Sequence, residues 1–194
     1  MTNDQYSFEN PVTRYDSIAP PEQRQPEPGL DRDLKPRADH GEDSYRGAGR
    51  LTGRRALITG GDSGIGAATA IAFAREGADV AISYLPDEEP DAERIIALIE
   101  QAGRKALALP GDLKDAAYCR SLVERTVEAF GGLDILVNNG GKQVSQDSIL
   151  DISDEQFDET LTTNVYAMFW ITKAAVAQMP PGSTIINTTS IQAY

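Results

Sequence analysis

The chain is poor in the residues that build covalent or metal-bound frameworks: among 194 residues it has one cysteine, one histidine and one tryptophan. A lone Cys119 excludes an internal disulfide and leaves no thiolate pair for a CxxC redox or zinc site. No metal site is expected. Basic residues are also scarce, 18 against 30 acidic, and the net charge of −12 argues against nucleic acid or an anionic membrane as the main partner, because both repel an acidic surface. No uninterrupted apolar run approaches the roughly 18 residues of a membrane-spanning helix. The start, MTNDQYSFEN, has no basic segment leading into an apolar one, so the expectation is a soluble, unexported, cytoplasmic protein.

What is present divides into two textures. Residues 1–50 hold six of the eleven prolines, in stretches such as APPEQRQPEPG, with mixed charge and almost no apolar periodicity. This predicts a largely irregular, surface-wrapping arm, with His40 solvated within it. From residue 51 the chain alternates short apolar runs with helical periods. RALITGG, DVAISYL, KALALPGDL, LDILVNNGG and STIINTTS read as strands. Between them, GIGAATAIAFAREGA reads as a helix burying Ile65, Ala68, Ala72 and Phe73, followed by DAERIIALIEQAG and DAAYCRSLVERTVEAFGG. The last helix, SDEQFDETLTTNVYAMFWITKAAVAQM, reads as one long element opened by a capping box, Ser153 with Gln156. Strands separated by helices of this length need crossovers, which predicts a doubly wound parallel α/β sheet, Rossmann-type, in the order 3-2-1-4-5.

TGGDSGIG, residues 59–66, falls where the first strand turns into the first helix. Glycines there let the backbone turn tightly and approach a pyrophosphate, and the helix N-terminus offers unpaired N–H groups to that anion. The spacing TGxxxGIG resembles that of the short-chain dehydrogenase/reductase family. Other segments are similar to family motifs in the same order: Asp112 in PGDL, NNGG at 138–141, Asn164 in TNVYAMFW, and INTTS with Ser190. The arm resembles that of N-terminally extended bacterial oxidoreductases and aldehyde reductases.

The resemblance implies an NAD(P)-dependent oxidoreductase that interconverts an alcohol and an aldehyde or ketone by hydride transfer, working as a homodimer or homotetramer. It implies a cofactor site built from Thr59, Gly60, Asp62, Ser63, Gly64, Ile65, Gly66, Tyr84, Asp112, Leu113, Asn138, Gly140 and Gly141. The catalytic residues it implies are Ser190, which would bind the carbonyl oxygen, and Asn164. NAD is favoured over NADP, because Ser63 stands where NADP members often carry arginine and Asp62 would repel a 2′-phosphate.

The family's Tyr-x-x-x-Lys pair is absent. Tyr84, Tyr118 and Tyr166 are followed four positions on by Glu88, Leu122 and Trp170, and Tyr194 stands too close to Ser190 to be the family's proton donor. The expectation is an N-terminal piece of an active parent; the alternative is a non-catalytic dinucleotide-binding or interaction protein ending at Tyr194.

Overall fold

A computed structural model describes Phe8, Asn10 and residues 21–190; Tyr194 and most of the first twenty residues lie outside the described set. Five strands, β1 (Arg55–Thr59), β2 (Asp79–Tyr84), β3 (Ala106–Pro110), β4 (Ile135–Asn138) and β5 (Thr184–Asn187), form one parallel sheet in the order β3-β2-β1-β4-β5. The doubly wound arrangement expected from the sequence is therefore present.

Each strand's two faces bury different partners. On β1, Ala56 and Ile58 point with Val80, Ile82, Ile135 and Val137 towards α1 (Gly64–Arg75) and α2 (Glu89–Gln101). Leu57 points the other way, with Ala81 and Leu136, onto Cys119, Leu122 and Val123 of α3 (Ala116–Phe130) and Ala167, Ile171 and Ala175 of α5 (Ala167–Val176). Alternation with a period of two thus supplies two cores, and near-continuous apolar strands are the result. Full burial of one such leucine or isoleucine contributes about 1.5–3 kcal/mol. β5 is the sheet's far edge and is largely exposed.

Two helices differ from their expected form. The buried residues of α1 are Gly66, Ala67, Ala70, Ile71 and Ala74, whereas Ile65 is 68% exposed. The helix is apolar on nearly every side, so its sequence carries little information about which side faces the sheet. The expected long helix runs without a break from Asp154 to Val176, but it contains a π turn (Thr162–Tyr166) that divides it into α4 (Asp154–Leu161) and α5. Ser153 caps α4 by accepting the Gln156 N–H, but the Gln156 side chain turns away to Val144 and Gln146, so only half of the capping box forms.

Residues 21–50 contain one short 3-10 turn, Asp31–Asp33, and are tied down by polar groups. The buried Asp91 carboxylate accepts the N–H groups of Asp31 (2.6 Å) and Arg32 (3.1 Å), fastening the arm to the start of α2. At the end of α1, Glu76 accepts from Tyr45 Oη, from the N–H groups of Ala48 and Arg50, and from the Arg50 guanidinium. Its carboxyl is held far below the ordinary range, chiefly by the Arg50 guanidinium. Arg75 donates to the carbonyls of Gly41, Glu42 and Tyr45. His40 is only 5% exposed, with Nε2 3.4 Å from Asp31 and Nδ1 3.9 Å from Glu42. The expectation of a solvated His40 is thereby corrected: the ring is buried beside the arm carboxylates of Asp31 and Glu42.

Candidate functional site

β1 and β4 are neighbours whose following connections run to opposite sides of the sheet, and such a point opens a crevice beyond the strand ends. Thr59 closes its floor: Oγ1 accepts the N–H groups of both Asn139 and Gly140 at 2.9 Å. The Asn139 carboxamide donates back to the carbonyls of Thr59 (3.2 Å) and Gly60 (3.1 Å). These four bonds pin the glycine turn to the end of β4.

The glycines have separate reasons. Gly60 has φ +60°, and a Cβ there would lie 2.9 Å from Gly140 Cα. A Cβ on Gly66 would come within 1.8 Å of the Gly60 carbonyl oxygen. Gly64 has φ +50° but open space beside it. At this N-terminus of α1 the cap residue Ser63 makes no capping side-chain bond, and the first-turn N–H groups have no intrahelical acceptor. Gly64 also lines the cleft, so the open space beside it leaves a cradle at the helix N-terminus, the kind of place where backbone N–H groups can meet an anion.

In front of the cradle lies a cleft of about 740 Å³. Of the residues proposed from sequence, Gly60, Asp62, Ser63, Gly64, Ile65, Tyr84, Asp112, Leu113, Gly140 and Gly141 line it. Thr59 and Gly66 support it from behind. Asn138 is not a wall of the cleft: it is 3% exposed and donates to Thr172 Oγ1 (3.1 Å) and Asn187 Oδ1 (2.9 Å), joining β4 to α5 and β5. Strand alternation explains this, since the residue after it, Asn139, takes the cleft side.

The cleft is acidic at one end. Asp62, Asp87 and Glu88 line it beside the end of β2. Burial pushes the Glu88 carboxyl up to about 7, aided by the charge of Asp62, and burial also raises Asp62 itself. Tyr84 is buried and donates from Oη to Glu89 at 2.9 Å, so its hydroxyl is already committed. Asp112 accepts the Lys114 N–H at 2.9 Å in a tight turn after β3.

Asn164 sits in the π turn and spends its carboxamide on a single residue, accepting from the Lys142 N–H (2.8 Å) and donating to the Lys142 carbonyl (2.7 Å). It fixes the segment after β4 and is not itself a wall of the cleft. Ser190 lies three residues past β5 and is exposed; Thr188 is the residue of that segment that lines the cleft, with Oγ1 3.1 Å from Asn139 Oδ1.

Sequence reasoning passed over several contributors, among them Asp87, Glu88 and Lys114 and four more that fix or charge the cleft. Asn139 was hidden inside the NNGG motif, and Lys142 and Glu159 stand outside any motif. Glu27 belongs to the arm, where no periodic signal pointed. All four line the cleft.

Comparison with known proteins agrees with this architecture. The profile of the short chain dehydrogenase family matches residues 54–194. The uncharacterized oxidoreductase YghA of Escherichia coli (strain K12) is 53% identical over 187 residues, covering 96% of this chain and 64% of YghA. The uncharacterized oxidoreductase YhxD of Bacillus subtilis (strain 168) is 51% identical over 185 residues, covering 95% of this chain and 62% of YhxD. The chain therefore spans just under two thirds of these relatives' length. Among solved structures, a short-chain dehydrogenase from Burkholderia cenocepacia J2315 in complex with NADP superposes with a TM-score of 0.72 at 45% identity, over 74% of this chain and 58% of that one. With its motifs in order on a parallel 3-2-1-4-5 sheet and the family profile matching from Arg54 onwards, the chain belongs to the short-chain dehydrogenase/reductase family of oxidoreductases.

Proposed function

We propose that the protein is an NAD(P)-dependent oxidoreductase interconverting an alcohol and an aldehyde or ketone, and that the described residues supply its dinucleotide site. The observation that carries this reading is the open cradle beside Gly64, where unpaired N–H groups of α1 face a cleft of dinucleotide size. In this reading Gly60 and Gly64 admit the pyrophosphate, Asp112 and Leu113 border the adenine, and Gly140 and Gly141 let the ribose pass close to the backbone. When bound, the nicotinamide supplies or accepts the hydride. Ser190 or its neighbour Thr188 would orient the substrate oxygen, while Asn164 holds the Lys142 segment in place.

For the choice of dinucleotide, Ser63 in place of an arginine and the charge of Asp62 favour NAD, but that preference finds no support in the comparisons: the Burkholderia relative, 45% identical, is in complex with NADP. A Glu88 carboxyl that titrates at about 7 repels a phosphate less than an ordinary carboxylate would. We therefore favour NADP(H), with NAD(H) as the competitor. The exposed apolar residues Val165, Phe169 and Val176 are assigned to contact between subunits of a dimer or tetramer.

Fluorescence titration with NADPH and NADH tests the reading. Saturable binding that is lost on Gly64→Val is expected, because the valine side chain would occupy the cradle. Undiminished binding by that variant would place the nucleotide elsewhere. Turnover is expected to be negligible in the 194 residues, which contain no Tyr-x-x-x-Lys pair. Robust carbonyl reduction would mean that another group donates the proton.

A further inference from the structure

Charges are unevenly distributed around the cleft. Among the described residues that line it, Glu27, Asp62, Asp87, Glu88, Asp112 and Glu159 are acidic, and Lys114 and Lys142 are the only cations. A dinucleotide brings at least two negative phosphates into this space, so the two lysines are the side chains that can meet them. Neither ammonium is idle. Glu159 lies between them, 2.6 Å from Lys114 Nζ and 3.4 Å from Lys142 Nζ. Lys114 also reaches Asp112 at 3.5 Å, and Lys142 reaches Glu27 at 3.1 Å.

Glu27 comes from the arm, 115 residues away in sequence. Its position is built: the Gly29 N–H donates to the Pro26 carbonyl at 2.8 Å, and Gly29 has φ +73°. The Gln25 side chain accepts the Leu30 N–H at 2.7 Å, and the next two N–H groups are held by Asp91. The turn at residues 26–29 is thus fastened to α2 on one side and presents Glu27 and Pro28 to the cleft on the other. Lys142 is equally fixed, since Asn164 grips both its backbone groups.

We propose that Lys142 is a phosphate-binding residue of the nucleotide cleft and that Glu27 of the arm competes with the dinucleotide for it. In the structure the carboxylate of Glu27 occupies the ammonium; on binding, a dinucleotide phosphate takes its place and the arm's turn is released from that contact. The inference rests on the proposed function, because it requires a dinucleotide in the cleft. Glu27 is 71% exposed and Lys142 34%, so the pair is screened by water and its loss is worth a small factor.

The test is equilibrium titration of the full chain and of Glu27→Gln, Lys142→Gln and the double variant with NADPH and with NADH. Glu27→Gln is expected to tighten binding about threefold, and Lys142→Gln to weaken it about tenfold. In the Lys142→Gln background, Glu27→Gln is expected to have no further effect, because the competition has no object. Loss with both nucleotides would assign Lys142 to the pyrophosphate, and loss confined to NADPH to the 2′-phosphate; either supports the proposal. Weaker or unchanged binding by Glu27→Gln, or a gain that persists without Lys142, overturns it. If the unaltered chain binds neither nucleotide, the functional reading itself fails.

Discussion

Asn164 and Lys142 are joined by two hydrogen bonds between one carboxamide and one residue's backbone, an arrangement that mimics a rung of a sheet. It depends on an amide, since one end must accept and the other donate. Replacing Asn164 with aspartate sets a second oxygen against the Lys142 carbonyl. Chemical denaturation of Asn164→Asp should show a loss of about 2 kcal/mol, the cost of an unmade bond at a half-buried group. Stability equal to the parent would show that the pair contributes nothing.

Gly64 and Gly66 should respond differently to alanine although they stand two positions apart. At Gly64 there is room, and only the left-handed backbone is penalised, at about 1 kcal/mol. At Gly66 the new methyl would meet the Gly60 carbonyl, and overpacking of that kind costs about 3 kcal/mol. Urea unfolding of the two variants gives the order directly; equal losses would contradict the packing.

The acidity of the cleft predicts a pH dependence. Glu88 has a folded pKa of about 7 against an ordinary 4.5, so the folded chain binds more protons than the unfolded one between those values. Its contribution to stability is therefore most favourable below pH 4.5 and declines as pH rises through 7. Binding of an anionic dinucleotide should follow the same direction, tightening about threefold from pH 8 to pH 6 as the carboxylate is neutralised. Titrations of Glu88→Gln should be flatter across that range; an unchanged slope would assign the effect to another group.

Cys119 should be inert in the native protein. It is fully buried, its thiol donates to the Leu113 carbonyl at 3.1 Å, and burial pushes its pKa up to about 12. An aromatic disulfide reagent at pH 8 should react at the rate of unfolding, accelerating only when denaturant is added. Rapid labelling of the folded chain would refute the burial.

The strand order and the glycine turn were legible because each is announced by local pattern: β-branched runs between long helices, and glycines at a strand-to-helix junction. The inner face of α1 was not, because alanines and isoleucine surround the helix and give no polar side to mark solvent. Asn138 and Asn139 are indistinguishable in sequence, and only the strand's alternation, with its exact end, separates a sheet-joining amide from a cleft-facing one. The arm was hardest to read. Its docking relies on Asp91, Glu76 and Arg75, charged groups that meet partners some 26 to 60 residues distant without any periodicity.

The π turn at Thr162–Tyr166 acts as a phase shifter. It places one surplus residue in an otherwise continuous helix, so α4 and α5 are rotated relative to an unbroken α-helix by about 100°, the angle between successive residues. Glu159, on one side of the shift, faces the lysines of the cleft, while Ala167, Ile171 and Ala175, on the other, face the sheet. Deleting one residue within the turn would leave both helices intact in length and composition but would swing the α4 carboxylate out of step with the core, so this short segment is where the spacing between packing and chemistry is set.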